Sequence, residues 1–175
     1  NLKEVLEAFL RHRREVVSRR TSYLLRKARE RGHVLEGLAV ALANIDAVIE
    51  LIKSSPTSAE AKEKLLARSW KSDSVLAMLG EVGADACRPD GLDERYGLKE
   101  AEYFLSPDQA QAILELRLHR LTGLEHEKLI NDYKELLKQI ADYLDILQNQ
   151  ARLLQVVRDE LEAVSKEYSD ERRTE

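Results

Sequence analysis

The chain has 175 residues and a net charge of −4; 34% of its residues are charged and 5% are aromatic. The acidic balance excludes a general polyanion-binding protein, and the scarcity of aromatic residues argues against a sheet protein. Cys87 is the only cysteine, which excludes an internal disulfide and fits a reduced, cytoplasmic setting. No apolar run approaches the roughly 20 residues that span a bilayer, so we expect no membrane association. Neither end resembles a natural terminus, and we expect the chain to be part of a longer one.

The first 53 residues predict two helical stretches. Residues 1–31 lack glycine and proline, and their apolar residues recur at steps of three and four, as on one face of a helix. Gly32 is a plausible bend, although one glycine need not end a helix. Residues 33–53 continue the pattern with a second apolar flank, so this helix should bury two sides, inside a globular domain or at a subunit contact.

The middle of the chain predicts short helices around an irregular connection. Thr57 followed by Glu60 is typical of a capping box, and a helix should follow to about residue 68. Another is expected over 73–79, and residues 80–106 show no regular pattern. Ser106, Pro107 and Gln109 then predict a strong helix start. That helix should end near Gly123.

The last segment predicts one long helix over about residues 125–168. Apolar residues alternate steps of four and three without any glycine or proline. Such a helix would be on the order of 65 Å long and needs another long helix to cover it. Residues 1–31 are the obvious partner, and basic residues predominate there while acidic residues predominate after 124. We therefore predict an all-α fold: an antiparallel coiled-coil hairpin with arms at 1–32 and 124–175 and a helical tip at 33–123.

A run of arginines on the first helix admits two interpretations. The candidates for a phosphate-contacting face are Arg11, Arg13, Arg14, Arg19 and Arg20. The plainer interpretation, which we prefer, is a solvated flank that pairs with the acidic returning arm. A DNA-binding arm would show salt-sensitive duplex binding that is lost when these arginines become alanine.

The sequence predicts no catalytic or metal site. The four histidines lie far apart and none has the i, i+4 spacing of a helical zinc site. Cys87 has no histidine nearby and is a poor candidate nucleophile. The paired carboxylates of the long helices are explained by solvated ion pairs.

Several long strings resemble bacterial DNA gyrase A subunits, and the resemblance runs along the whole chain. They are residues 11–17 (RHRREVV), 25–28 (LRKA), 35–46 (LEGLAVALANID), 109–114 (QAQAIL), 121–129 (LTGLEHEKL) and 171–175 (ERRTE). The topoisomerase IV A subunit shares several of them. Trp70 and Arg88-Pro89 look more like gyrase, which we therefore prefer.

The resemblance implies a coiled coil that carries the exit gate, where two copies meet across a two-fold axis. A transported duplex would leave through this contact after strand passage. Apolar pattern and the family arrangement together suggest the contact residues. They are Ile45, Ile49, Ile52, Ala110, Ile113, Leu114, Arg117, Leu118 and Leu121.

The resemblance also implies that this segment is catalytically silent. The family's cleavage tyrosine follows an arginine and precedes Thr-Glu, whereas the nearest match here, Arg95-Tyr96, precedes Gly97 and Leu98. Mg²⁺, ATP, double-stranded DNA and the gyrase B subunit would belong to the full enzyme, with no cofactor in this segment. A structural coiled-coil adaptor for another protein is the remaining alternative.

Overall fold

The computed structural model describes residues 1–71, 86–99, 102–116 and 123–171. These residues are mainly helical, which confirms the all-α prediction, with one small sheet in addition. The elements in chain order are α1 (Leu2–Ala43), α2 (Ile45–Lys53), α3 (Ser58–Ala67), β1 (Ser69–Trp70), β2 (Gly97–Lys99), β3 (Glu102–Phe104), α4 (Pro107–Leu114), α5 (Gly123–Gln148) and α6 (Gln150–Tyr168). The helix predicted over 73–79 lies outside the described residues.

Helix α1 continues through Gly32, so the glycine does not end it. The glycine serves close packing instead, because a Cβ at this position would lie 2.7 Å from the Cys87 Sγ. The helix predicted over 33–53 is nevertheless divided at Asn44. The Asn44 amide donates to the carbonyl oxygens of Val40 (2.9 Å) and Lys71 (2.7 Å). Asparagine side chains compete with helical backbone bonds in this way, and α2 restarts at the next residue.

The predicted caps are present at two helix starts. The Thr57 hydroxyl accepts from the Glu60 N–H at 3.2 Å, which confirms the hydroxyl half of the first capping box. At Ser106 the box is complete, because the hydroxyl accepts from Gln109 N–H and the Gln109 side chain accepts from Ser106 N–H. The helix that follows ends at Leu114, earlier than the predicted end near Gly123.

The connection predicted to be irregular contains two short strands. The sheet has the order β1-β3-β2 with antiparallel neighbours, and Tyr103 is opposite both Trp70 and Leu98. Strands of two or three residues are too short to show an alternating pattern. Gly97 reaches its place in β2 with a φ of +98°, which a residue with a side chain rarely adopts.

The long C-terminal helix is divided at Asn149, where the sequence predicted continuity. The Asn149 side chain accepts from the backbone N–H groups of Ala151 (3.0 Å) and Arg152 (3.4 Å). It therefore caps the start of α6, and α5 ends one residue before it.

The contacts group the chain into two compact units. The terminal unit comprises Asn1–Leu25 and Asp142–Glu175, and the central unit comprises Arg26–Ala141. This grouping does not coincide with the boundaries predicted at residues 32 and 123, and that three-part division stays a prediction. Within the described ranges, no helix is long and apolar enough to cross a membrane.

The terminal unit has a small apolar core. Val17 of α1 packs with Ile146 and Val157, and Leu153 and Leu161 lie against them.

The central unit has the larger core, built around the sheet and α4. Its largest buried side chains include Trp70, Leu65 and Leu105. Helices α1 and α5 pack in opposite chain directions here. A Cβ on Gly32 would lie 3.4 Å from Leu136, and one turn further along α1 Glu36 binds the Tyr133 hydroxyl. A coiled-coil hairpin along the whole chain stays a prediction.

Candidate interaction site

An apolar groove of about 260 Å³ lies in the central unit. Three helices, together with Leu116 just after α4, form its walls. The lining residues are Leu38, Ala41 and Leu42 of α1, Ile45, Val48, Ile49, Ile52 and Lys53 of α2, Ile113 and Leu114 of α4, and Leu116. Lys53 is the only charged residue among them, so the groove is suited to bind an apolar surface.

Helix α2 serves the core and the groove at once. Val48 is 2% exposed and packs into the core, whereas Ile45, Ile49 and Ile52 are half-buried. These three recur at steps of four and three and therefore share one helix face. The two-sided apolar pattern predicted for 33–53 is explained, because one side is covered by the core and the other lines the groove.

Helix α4 supplies the opposite wall. Ile113 is 5% exposed and Leu114 is half-buried, and both line the groove. The helix ends here with a tightened turn in which Leu116 N–H donates to the Ile113 carbonyl at 3.2 Å. That turn brings Leu116 into the wall.

The structure brings five of the nine predicted contact residues together at the groove: Ile45, Ile49, Ile52, Ile113 and Leu114. Ala110, also on α4, is fully buried in the core and is not part of the groove surface. Arg117, Leu118 and Leu121 lie outside the described residues. The groove's role as a contact between copies stays a prediction.

None of the α1 wall residues was among the predicted contacts, and the two largest of them are Leu38 and Leu42. They continue the same heptad-like series that leads into α2, so the signal was present in the spacing. Both are buried and look like ordinary core positions, which is why periodicity alone does not assign them to a surface groove.

A buried polar cluster lies behind the α4 wall. His33 Nε2 is 2.7 Å from Ser106 Oγ, and the Gln109 amide nitrogen is 2.7 Å from both the His33 carbonyl and the Tyr103 hydroxyl. All four residues are at most 4% exposed. Burial lowers the pKa of His33 to about 4, so the imidazole is neutral near pH 7.

A second buried group lies between α1 and α5. The Tyr133 hydroxyl donates to Glu36 Oε2 at 3.4 Å, and Cys87 is fully buried beside them. Burial, with the Glu36 charge, raises the pKa of Cys87 to about 12 and raises that of Tyr133. The thiol stays protonated, which makes it an inert core residue and a poor nucleophile.

The arginine run divides into two sets. Arg13 and Arg20, seven residues apart, both bind the Glu160 carboxylate of α6, the first at 2.6 Å. Arg11, Arg14 and Arg19 line a shallow depression instead. Two of the five candidates are thus used in pairing with the acidic arm, as the plainer interpretation expects.

The described part of the chain offers no metal-binding group. No cluster of three or more histidine, cysteine, aspartate or glutamate side chains could hold an ion there. The candidate site is the apolar groove, which offers a surface for binding.

Comparison with known proteins agrees with the sequence resemblance. The profile of the family described as the A subunit of DNA gyrase/topoisomerase IV matches residues 1–162. The DNA gyrase A subunit of Pseudomonas aeruginosa is 67% identical over 175 residues, which are 100% of this chain and 19% of that protein. The corresponding protein of Aeromonas salmonicida is 59% identical over 98% of the chain, and that of Salmonella typhimurium is 57% identical over 100%.

The chain spans about a fifth of the length of these relatives, 19% or 20% in each case. The matched family profile covers most of the chain, and the identities extend from end to end. This chain belongs to the family of DNA gyrase and topoisomerase IV A subunits.

Proposed function

We propose that this chain is the coiled-coil and exit-gate segment of a DNA gyrase A subunit, and that two copies meet through the apolar groove. The observation that carries the proposal is the groove itself. Isoleucine and leucine side chains of three helices converge on one surface. Covering half-buried apolar side chains with a partner removes them from water, which lowers the free energy of the complex.

A second copy is the partner that best fits this surface. A two-fold contact uses the same patch on both copies, so each must offer both ridges and a recess. Helix α2 offers a row of isoleucines, and the space between α2 and α4 offers the recess. A contact that is mainly apolar and carries few fixed ion pairs can separate and close again without leaving buried charges unpaired.

In the whole protein this contact would act as the last gate on the path of a transported duplex. The gate would close to hold the two subunits together and open to release the duplex. DNA breakage, Mg²⁺ binding and ATP hydrolysis would take place in other parts of the enzyme, including its gyrase B partner. Negative supercoiling by ATP-dependent strand passage is accordingly proposed for the whole enzyme and not for this segment. The gyrase names of the relatives favour gyrase over topoisomerase IV.

The test is the solution mass of the 20.0 kDa chain across a concentration series. We expect a dimer at micromolar concentration by light scattering and sedimentation equilibrium. Ile49→Glu places a charge in the groove and should give a monomer that stays folded, because Ile49 is only half-buried. Val164→Glu is the matched control, since Val164 is an apolar residue of the terminal unit with 53% exposure. A wild-type monomer at all concentrations, or equal dimers in both variants, would refute the groove as the contact.

A second candidate function is a DNA-facing wall on α1. Among the described residues, Arg11 and Arg14 take part in no ion pair, which leaves their charge available to phosphates. Replacing these two by alanine should abolish duplex binding at low salt, whereas replacing Arg13 and Arg20 should mainly weaken the pairing with Glu160. Absence of duplex binding by the wild type at low salt would dismiss this function.

A further inference from the structure

The Gln109 side chain is the centre of the buried cluster behind the groove. Its Oε1 accepts from Ser106 N–H at 2.9 Å. Its Nε2 lies 2.7 Å from the His33 carbonyl oxygen, 2.7 Å from the Tyr103 hydroxyl and 3.2 Å from His33 Nδ1. One side chain therefore ties α4 to α1, to β3 and to its own N-terminus.

These contacts determine the protonation of His33. An amide nitrogen only donates, so the Nδ1 that faces it must carry a lone pair. The proton of the neutral imidazole is then on Nε2, from where it donates to Ser106 Oγ at 2.7 Å. A second proton on Nδ1 would point at the amide hydrogens of Gln109. This assignment requires a neutral imidazole and this orientation of the amide.

Helices α1 and α4 also touch directly at this point. Gly37 packs against Gln109 so closely that a Cβ on the glycine would lie 2.6 Å from the Gln109 Cγ. The next turn of α1 brings Leu38 and Ala41 to the groove, and the next turn of α4 brings Ile113. We expect a shift at the Gln109 contact to reach both walls within one helical turn, because close-packed interiors have low compressibility and transmit strain.

We propose that Gln109 is a positioning residue for the groove: its amide sets the separation of the α1 and α4 walls, and the affinity between two copies depends on it. The proposal rests on the groove being the contact between copies. Gln109 itself is fully buried within its own chain. Its effect on association is exerted through the walls that it holds in place.

The test compares two substitutions of buried polar groups in the central unit. Gln109→Met keeps the volume and removes the donors and the acceptor. Tyr133→Phe removes the bond to Glu36, between α1 and α5, and none of the groove-lining residues named above belongs to α5. Dimer dissociation constants come from sedimentation equilibrium, and the stability of each folded protein comes from urea titration.

We expect Gln109→Met to raise the dissociation constant of the dimer about tenfold or more. Tyr133→Phe should lower stability and leave the dissociation constant within about twofold of the wild type. Tyr103→Phe is the milder second variant if Gln109→Met does not fold. It removes one acceptor of the amide, together with the hydrogen bond between the Tyr103 hydroxyl and Glu36, and should raise the dissociation constant by a smaller factor.

The outcomes separate this proposal from the one on which it rests. A wild-type dimer whose affinity is unchanged in Gln109→Met and Tyr103→Phe overturns the positioning role and leaves the groove contact standing. Equal loss of affinity in Tyr133→Phe also overturns it, because stability alone then sets the affinity. A wild-type monomer overturns the groove contact itself, and the positioning role with it.

Discussion

A methyl group at Gly37 would collide with Gln109, and Gly37→Ala tests that packing directly. A Cβ built there lies 2.6 Å from Cγ, 2.7 Å from Cβ and 2.8 Å from Cδ of Gln109. Non-bonded carbon atoms normally approach to about 3.5 Å, so either α1 and α4 separate or the side chain turns away. Turning away breaks the hydrogen bonds of the amide to the His33 carbonyl and the Tyr103 hydroxyl.

Two opposing effects decide whether Gly37→Ala raises or lowers the free energy of unfolding. Overpacking of a well-filled site costs about 1–3 kcal/mol, and each lost hydrogen bond of the cluster costs about 1 kcal/mol more. Alanine is a better helix former than glycine by about 1 kcal/mol in a helix interior. We expect a net loss of about 2 kcal/mol in the free energy of unfolding of the central unit, whereas helix propensity alone predicts a gain.

Equilibrium urea unfolding measures this loss, because Trp70 is the only tryptophan and is buried in the central unit. Its fluorescence therefore reports on this unit. All variants are compared at one protein concentration, since association also stabilises the folded state. Gln139→Ala, at an exposed position of α5, is the control and should change the free energy of unfolding by less than about 0.5 kcal/mol. A Gly37→Ala protein as stable as the wild type or more stable would refute the close packing of α1 on α4.

Three further predictions concern other residues. The difference in unfolding free energy between wild type and His33→Gln should fall by about 2.5 kcal/mol as the pH falls from 6.5 to 4. Burial keeps the folded-state pKa of His33 at about 4, whereas the unfolded imidazole protonates near 6.5. Urea titrations across that range measure the change, and parallel pH profiles of the two proteins would contradict it. Glu160→Gln should destabilise the terminal unit by about 1 kcal/mol at low salt and by less in 1 M salt, which lowers its melting temperature. Glu162→Gln is the control and should change the melting temperature little, because the partner of Glu162 is an exposed residue of the same helix. Far-ultraviolet circular dichroism follows both melts. Asn149→Ala removes the cap of α6 at a cost of about 1 kcal/mol and should speed amide hydrogen exchange at Ala151, while slower exchange would mean that α5 and α6 have fused.

The position of the groove clarifies why residues 33–53 are apolar on two sides. One side of α2 packs on the core and the other lines the groove. Amphipathic periodicity shows how much of a helix surface is buried, but it does not show which element or partner covers that surface. The resemblance to gyrase A subunits supplied the second copy as the expected partner, and the groove supplies the surface on which that expectation can be tested.

The amino-acid sequence by itself determined the features that depend on near neighbours. The long helices follow from unbroken spacing of three and four residues, and the starts at Thr57 and Ser106 follow from caps that act within one turn. Family membership was also readable, since it rests on strings of adjacent residues. Five groove residues were predicted as contacts from the apolar pattern together with what the family resemblance implies.

The tertiary structure alone decided the features that depend on partners far along the chain. Asn44 divides a helix because it reaches the carbonyl of Lys71, and β2 and β3 are strands because they pair with each other and with Trp70. Gln109 is the centre of the buried cluster because His33, 76 residues away, lies against it. An asparagine, a three-residue strand or a buried glutamine has the same local signature whether or not such a partner exists. Only in the folded chain do these distant residues meet, and their contacts divide the helices and form the walls of the groove.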